Sequence, residues 1–247
     1  MTNHMKEGVI VDKKDLKKEL KIKKSDLGHA IAKGALSTIP IVGGSVAEIF
    51  SLILEPPITK RRDAFLIAIY GELQSLSEKV DDFNIEELVE NEIFITSLTH
   101  AVPVAVKNHQ IEKITALKNV VLNSALPNAP NEDKQLMFLD FIDSFTSWHL
   151  KLLLLFDDPE GYASENDISF PNWQGGGIRS VIELVFPILK NEKQFTTQVW
   201  KDLFNHGLFN TSADSINTMM TGNGMISPRT TELGQEFLNF IMDPELK

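Results

Sequence analysis

The chain reads as an all-α protein, a multi-helix bundle followed by a small winged-helix-like C-terminal module. Three observations predict this. Apolar residues recur at +3 and +4 through most of the chain, the period of a one-faced helix. No β-branched run alternates with period two, so no strand long enough for a central sheet is expected. The 247 residues are 43% hydrophobic and 23% charged, enough apolar surface to fill a core.

The elements follow in order. A basic N-terminal segment, 1–25, carries seven lysines between Lys13 and Lys24, with Leu16 and Leu20 four apart, and predicts a short helix with a thin apolar stripe. The bundle is expected over 26–157 and begins with an apolar hairpin over 28–55. From Gly34 to Leu54 the single formal charge is Glu48. Pro40 and Gly43-Gly44 interrupt this run, predicting two helical halves with a sharp break, and Pro56-Pro57 is expected to stop the second half. Phe65, Ile69, Leu73, Leu76 and Val80 then form one stripe. Helices over 85–102 and 109–122 are expected on either side of a break at Pro103, the second with Ile111, Ile114, Leu117 and Val121 inward. After the linker Leu126–Asn131, the spacing of Phe138, Phe141, Phe145, Trp148, Leu152 and Leu155 predicts the central helix of the bundle.

Residues 158–177, which end in Gly175-Gly176-Gly177, read as the irregular joint between bundle and module. In the module, 178–247, helices are expected over 178–189 and 192–206, with Gly207 as a C-terminal stop. A short helix near 212–220, a turn-rich extended pair around 221–228 and a last helix through Leu233, Phe237, Phe240 and Ile241 complete a winged-helix-like order.

Composition narrows the chemistry. The absence of cysteine excludes disulfide scaffolds, thiolate zinc sites, iron–sulfur clusters and Cys nucleophiles. The first residues lead into a polar stretch, so no secretory signal and a cytoplasmic protein are expected. The net charge of −10 is uneven: residues 1–62 hold 12 Lys+Arg against 7 Asp+Glu, and all the excess acid lies in the rest of the chain. A basic head on an acidic body fits an anionic partner, the chain's own acidic face, or a solvated terminus.

No catalytic motif emerges. Gly43-Gly44-Ser45 imitates a nucleophile elbow but lacks the sheet that motif requires. Gly175-Gly176-Gly177 lacks the Lys-Ser/Thr of a phosphate loop and reads as a hinge. The six histidines show no ligand spacing, His149 is expected at a helix rim, and Asp157-Asp158 is expected to cap the turn at Pro159. No cofactor and no metal are predicted. Residues 190–247 carry 5 basic and 7 acidic residues, and the segment 212–220 has no basic residue, which argues against nucleic acid.

The most unusual feature is 28–62. The apolar run approaches the length that spans a bilayer and is flanked by Lys33 and by Lys60-Arg61-Arg62, whereas Glu48 inside it is costly there. Two readings fit: a buried hairpin in the bundle, or a membrane hairpin released on a trigger. In the second, Lys13, Lys14, Lys17 and Lys18 hold the chain at an anionic leaflet, Pro40, Gly43 and Gly44 form the bend, and Glu48 must be neutralised. Before release, Lys60, Arg61 and Arg62 are expected beside carboxylates of the bundle.

Ile39-Pro40-Ile41-Val42-Gly43-Gly44 leading to Glu48-Ile49-Phe50, then Pro56-Pro57 and Lys60-Arg61-Arg62-Asp63, resembles a recurrent N-terminal signature of uncharacterised bacterial helical proteins. The ending, Asn205-His206-Gly207-Leu208 through Thr230-Thr231-Glu232-Leu233-Gly234-Gln235-Glu236-Phe237-Leu238, is similar to the C-terminal module of the abortive-infection alpha (Abi-alpha-like) family. The resemblance implies a bacterial, non-enzymatic effector acting in phage defence, and supplies no catalytic residue. Expected partners are another protein or a second copy, and an anionic membrane, with the chain peripheral to the inner membrane. The rival expectation is a transcriptional regulator or protein-interaction adaptor working through the C-terminal module.

Overall fold

Helices form where the apolar spacing places them, and the only sheet among the described residues is two residues wide. The computed structural model describes residues 44–80 and 83–244, with backbone alone for 44–56. The basic segment 1–25, the first half of the apolar hairpin and the break at Pro40 and Gly43 lie outside the described residues. The chain divides into two compact units, Met1–Ala68 and Ile69–Lys247.

Helix α1 (Gly44–Lys79) begins in the first unit and ends in the second. It corrects the stop expected at Pro56-Pro57, since the helix runs through both prolines. A proline ring holds φ near a helical value, so it deletes a ladder hydrogen bond without imposing a turn. Pro57 to Arg61 are exposed, so no tight packing crowds that stretch. Of the expected stripe, Phe65, Ile69, Leu73 and Leu76 are buried, whereas Val80, just past the helix end, is 38% exposed.

In the second unit a 3-10 turn (Ile85–Glu90) is capped by Asn84, and Asn91 restarts the chain as α2 (Glu92–Lys107) by accepting the Phe94 N–H at 3.0 Å. The break therefore falls at Asn91 and not at Pro103, which sits exposed inside α2 while Ala101, Val104 and Ala105 beside it are buried. Burial of that face offsets the one donor proline removes.

Helix α3 (Ile111–Ser124) is the central helix, packing against α2 and against three elements further on: α4 (Glu132–Ser144), α5 (Ser147–Asp157) and α10 (Glu232–Ile241). Leu117, Val120, Val121 and Leu122 are fully enclosed, each contributing about 1.5–3 kcal/mol of burial. Ile111, expected inward, is 70% exposed, because the face that points inward runs through Lys113, Ala116, Leu117 and Val120. The expected single helix through Phe138 and Leu155 is two. Phe145 ends α4, and Thr146 opens α5 with a capping box closed by His149. A strong local N-terminal signal here overrides a continuous apolar stripe.

The 158–177 stretch is more ordered than expected. Asp158 caps the helix α6 (Pro159–Glu165) by accepting the Gly161 N–H at 3.0 Å. Gly175-Gly176 forms β1, antiparallel to β2 (Met220–Thr221), in register Gly175 with Thr221 and Gly176 with Met220. A Cβ at Gly175 would lie 2.9 Å from the Met220 carbonyl and one at Gly177 3.1 Å from that of Ile216. Close backbone approach thus explains the glycine run expected to be a hinge.

The module continues with α7 (Ile178–Val185), a 3-10 turn opened by Pro187, α8 (Lys193–Asn205), and a 3-10 turn (Ala213–Asn217). Gly207 takes φ +73°, the left-handed stop the sequence predicts after α8. The extended pair expected around 221–228 is absent: Gly222–Met225 is the short helix α9, and the extended contacts are β1–β2 and a bridge between Phe209 and Thr230.

Bundle and module share one core. Phe138, Phe141 and Phe145 surround Phe237 with ring centroids 5.2, 5.8 and 6.4 Å away. Trp200 sits against Phe156 and Phe209. Buried Asn119 and Asn123 of α3 donate to the carbonyls of Ile241, Phe240 and Met242 at 2.8–2.9 Å, satisfying the acceptors left over at the end of α10.

Candidate functional site

Of the residues the sequence singles out, Lys13, Lys14, Lys17, Lys18, Pro40 and Gly43 lie outside the described residues. Gly44 opens α1, and the Glu48 backbone lies one turn into the same helix. Lys60 and Arg61 are exposed. Among the described residues Arg62 pairs with Asp63, its neighbour in sequence, at 3.0 Å, and with no carboxylate of another helix. The second half of the apolar run, the basic triplet and the buried stripe thus follow one another along one helix. No helix among the described residues is long and apolar enough to cross a membrane.

A polar cluster lies where α5 meets α8, and it corrects the rim position expected for His149. His149 is buried, stacked on Phe145 at 4.6 Å. Its Nδ1 accepts the Thr146 backbone N–H at 3.0 Å, so the ring proton belongs on Nε2, which lies 3.4 Å from Asp202 Oδ2. Burial pushes the imidazolium below the usual histidine range, and the pull of Asp202 does not offset it. Thr146 Oγ1, His149 and Asp202 lie in the order of a hydrolase relay. Yet Nδ1, 3.0 Å from the hydroxyl, already accepts the Thr146 backbone N–H, and the His149 backbone N–H donates to the Thr146 carbonyl at 3.1 Å, so these contacts close the first turn of the helix. Both residues are engaged in starting α5.

A second buried ionisable group is Lys113, whose Nζ donates to the Asp143 carbonyl at 3.0 Å at the end of α4. Burial lowers its pKa, while its position at a helix C-terminus suits a cation. Among the described residues no group of three or more His, Asp or Glu side chains comes together to hold a metal ion.

The module carries a groove of about 810 Å³ between α8 and the 213–217 turn. Arg179, Lys193 and Lys201 line it, with Asp214 as its one carboxylate. Sequence reasoning missed this site. Lys193, Thr197 and Lys201 repeat every four residues and so share a face of α8, but Arg179 comes from α7, and the window from 190 onward excludes it.

No protein-family model matches the chain, and neither a curated protein nor a solved structure does.

Proposed function

We propose that the chain is a non-enzymatic bacterial effector or interaction protein, acting in antiphage defence, whose N-terminal hairpin over 28–55 becomes active at an anionic membrane on a trigger. The observation that carries this reading is the continuity of α1. One helix joins the second half of the apolar run to Lys60-Arg61-Arg62 and then to the buried stripe at Phe65, Ile69, Leu73 and Leu76. The stripe holds the helix, the basic triplet suits a headgroup layer, and the apolar half is too short to span and suits shallow insertion. The lysines between Lys13 and Lys24 add about 1 kcal/mol each near an anionic surface, which tethers a monomer without a lipid anchor. Glu48 opposes insertion until it is protonated, paired or placed in water.

The test is dye leakage from anionic and neutral vesicles, together with toxicity on expression, for wild type, Glu48→Leu and a chain lacking 1–24. Leakage restricted to anionic vesicles, lost without 1–24 and altered by Glu48→Leu, is expected. Wild type that neither binds nor permeabilises either vesicle overturns the reading.

A second reading, an adaptor or transcriptional regulator built on the winged-helix-like module, draws support from Leu184, Ile188 and Phe195. These apolar side chains stand exposed within one short stretch, Ile188 at 74%. A mobility shift on duplex DNA that falls steeply with salt favours the regulator, and capture of a defined protein abolished by Ile188→Asp favours the adaptor.

A further inference from the structure

We propose that the groove between α8 and the 213–217 turn binds a small phosphorylated ligand of nucleotide size, its phosphate at Arg179, Lys193 and Lys201 and its ring against Phe204. The module spanning 178–247 has six Lys and Arg residues and an excess of acid, yet three of the six line this one groove. Among the described residues none of the three takes part in an ion pair with a carboxylate, although the chain carries 34 Asp and Glu.

Arg179 is also held in place. Its Nε donates to Asn217 Oδ1 at 2.8 Å, one terminal nitrogen to Thr197 Oγ1 at 2.8 Å, and the other to the Lys193 carbonyl at 3.4 Å. All three acceptors are neutral, so the charge is positioned but not cancelled. Three of the five guanidinium N–H groups are used, and one remains on each terminal nitrogen, as two oxygens of one phosphate require. The rotamer entropy of the arginine is already lost before any ligand arrives.

The rest of the groove fits an organic body. Phe204 also lines the groove, is 38% exposed, and lies seven residues beyond the Thr197 that holds Arg179, about 10 Å along α8. That separation matches the reach from a phosphate to a base or similar ring. Gln198, Asn205 and Ser212 add amide and hydroxyl groups to the lining. Asp214 in the same wall disfavours a long polyanion and suits a sugar hydroxyl. The volume lies within the range of small-molecule sites.

The experiment is calorimetric titration of the full chain with adenosine monophosphate, inorganic phosphate and adenosine in separate arms. Lys193 and Lys201 are exposed, so the Lys193→Glu/Lys201→Glu chain is expected to keep the wild-type melting temperature and to lose about tenfold or more in affinity for the monophosphate. Arg179→Lys, which keeps the charge and loses the fork, is expected to weaken phosphate and monophosphate alike. Phe204→Ala is expected to weaken the monophosphate and leave phosphate unchanged. Absence of binding in all arms, binding unaffected by the double charge reversal, or binding of duplex DNA or an acidic peptide in place of the monophosphate overturns the proposal.

Discussion

Phe237 stands at the point where three phenylalanines of the bundle close on the module, and it is fully buried. Phe237→Ala removes its burial and leaves a cavity between aromatic rings that cannot collapse, so a loss of about 3–5 kcal/mol is expected from urea denaturation. His149 makes a different prediction. Burial holds it neutral in the folded chain, whereas the unfolded residue titrates near 6.5. Its contribution is complete above that value. As pH falls below about 6.5, the unfolded chain takes up a proton the folded chain refuses, and stability drops until the lowered folded pKa is passed. The urea midpoint of wild type is expected to fall more steeply with acid than that of His149→Gln. Parallel curves would contradict the assignment. Neither role was legible from the residue alone, because the apolar spacing that includes Trp148 and Leu152 says nothing of the Asp202 side chain 53 residues later.

At the scale of elements, the helices were legible and their breaks were not. Periodicity reports which face is buried, and it located α8 and α10 well. Boundaries depend on which local signal wins. At Pro103 the helix continues because burial of Ala101, Val104 and Ala105 offsets the lost donor, and at Pro56-Pro57 it continues into a stretch, Pro57 to Arg61, that stands exposed. At Phe145-Thr146 it ends despite a continuous stripe, since the capping box supplies a better start. A glycine within an expected helix also serves close approach: a Cβ at Gly234 would lie 2.5 Å from the Leu208 carbonyl, inside the first turn of α10. Gly234→Ala is therefore expected to destabilise the chain by about 1–3 kcal/mol, although alanine is the better helix former. Asn123→Ala is expected to cost a similar amount, since it leaves two carbonyls at the end of α10 without their buried donor. Thermal unfolding of the two variants checks both, and a melting temperature at or above wild type contradicts the packing described for α10.

For the whole molecule, net charge was legible and its placement was not. Counting residues from 190 onward gives an acidic module, and folding still gathers Arg179, Lys193 and Lys201 in one groove. The apolar run at 34–54 stood out in the sequence because almost nothing charged interrupts it, and the structure adds that its second half continues as the helix that carries the stripe at 65–76. On the membrane-hairpin proposal, the apolar run and the stripe that follows it are expected to behave differently at a membrane. Hydrogen exchange of the full chain, with and without anionic vesicles, separates them. Residues 34–54 are expected to gain protection when vesicles are added, while 69–76 keep the protection they already have. Exchange over 34–54 that is slow in solution and unchanged by vesicles would make that segment part of the core and contradict the account.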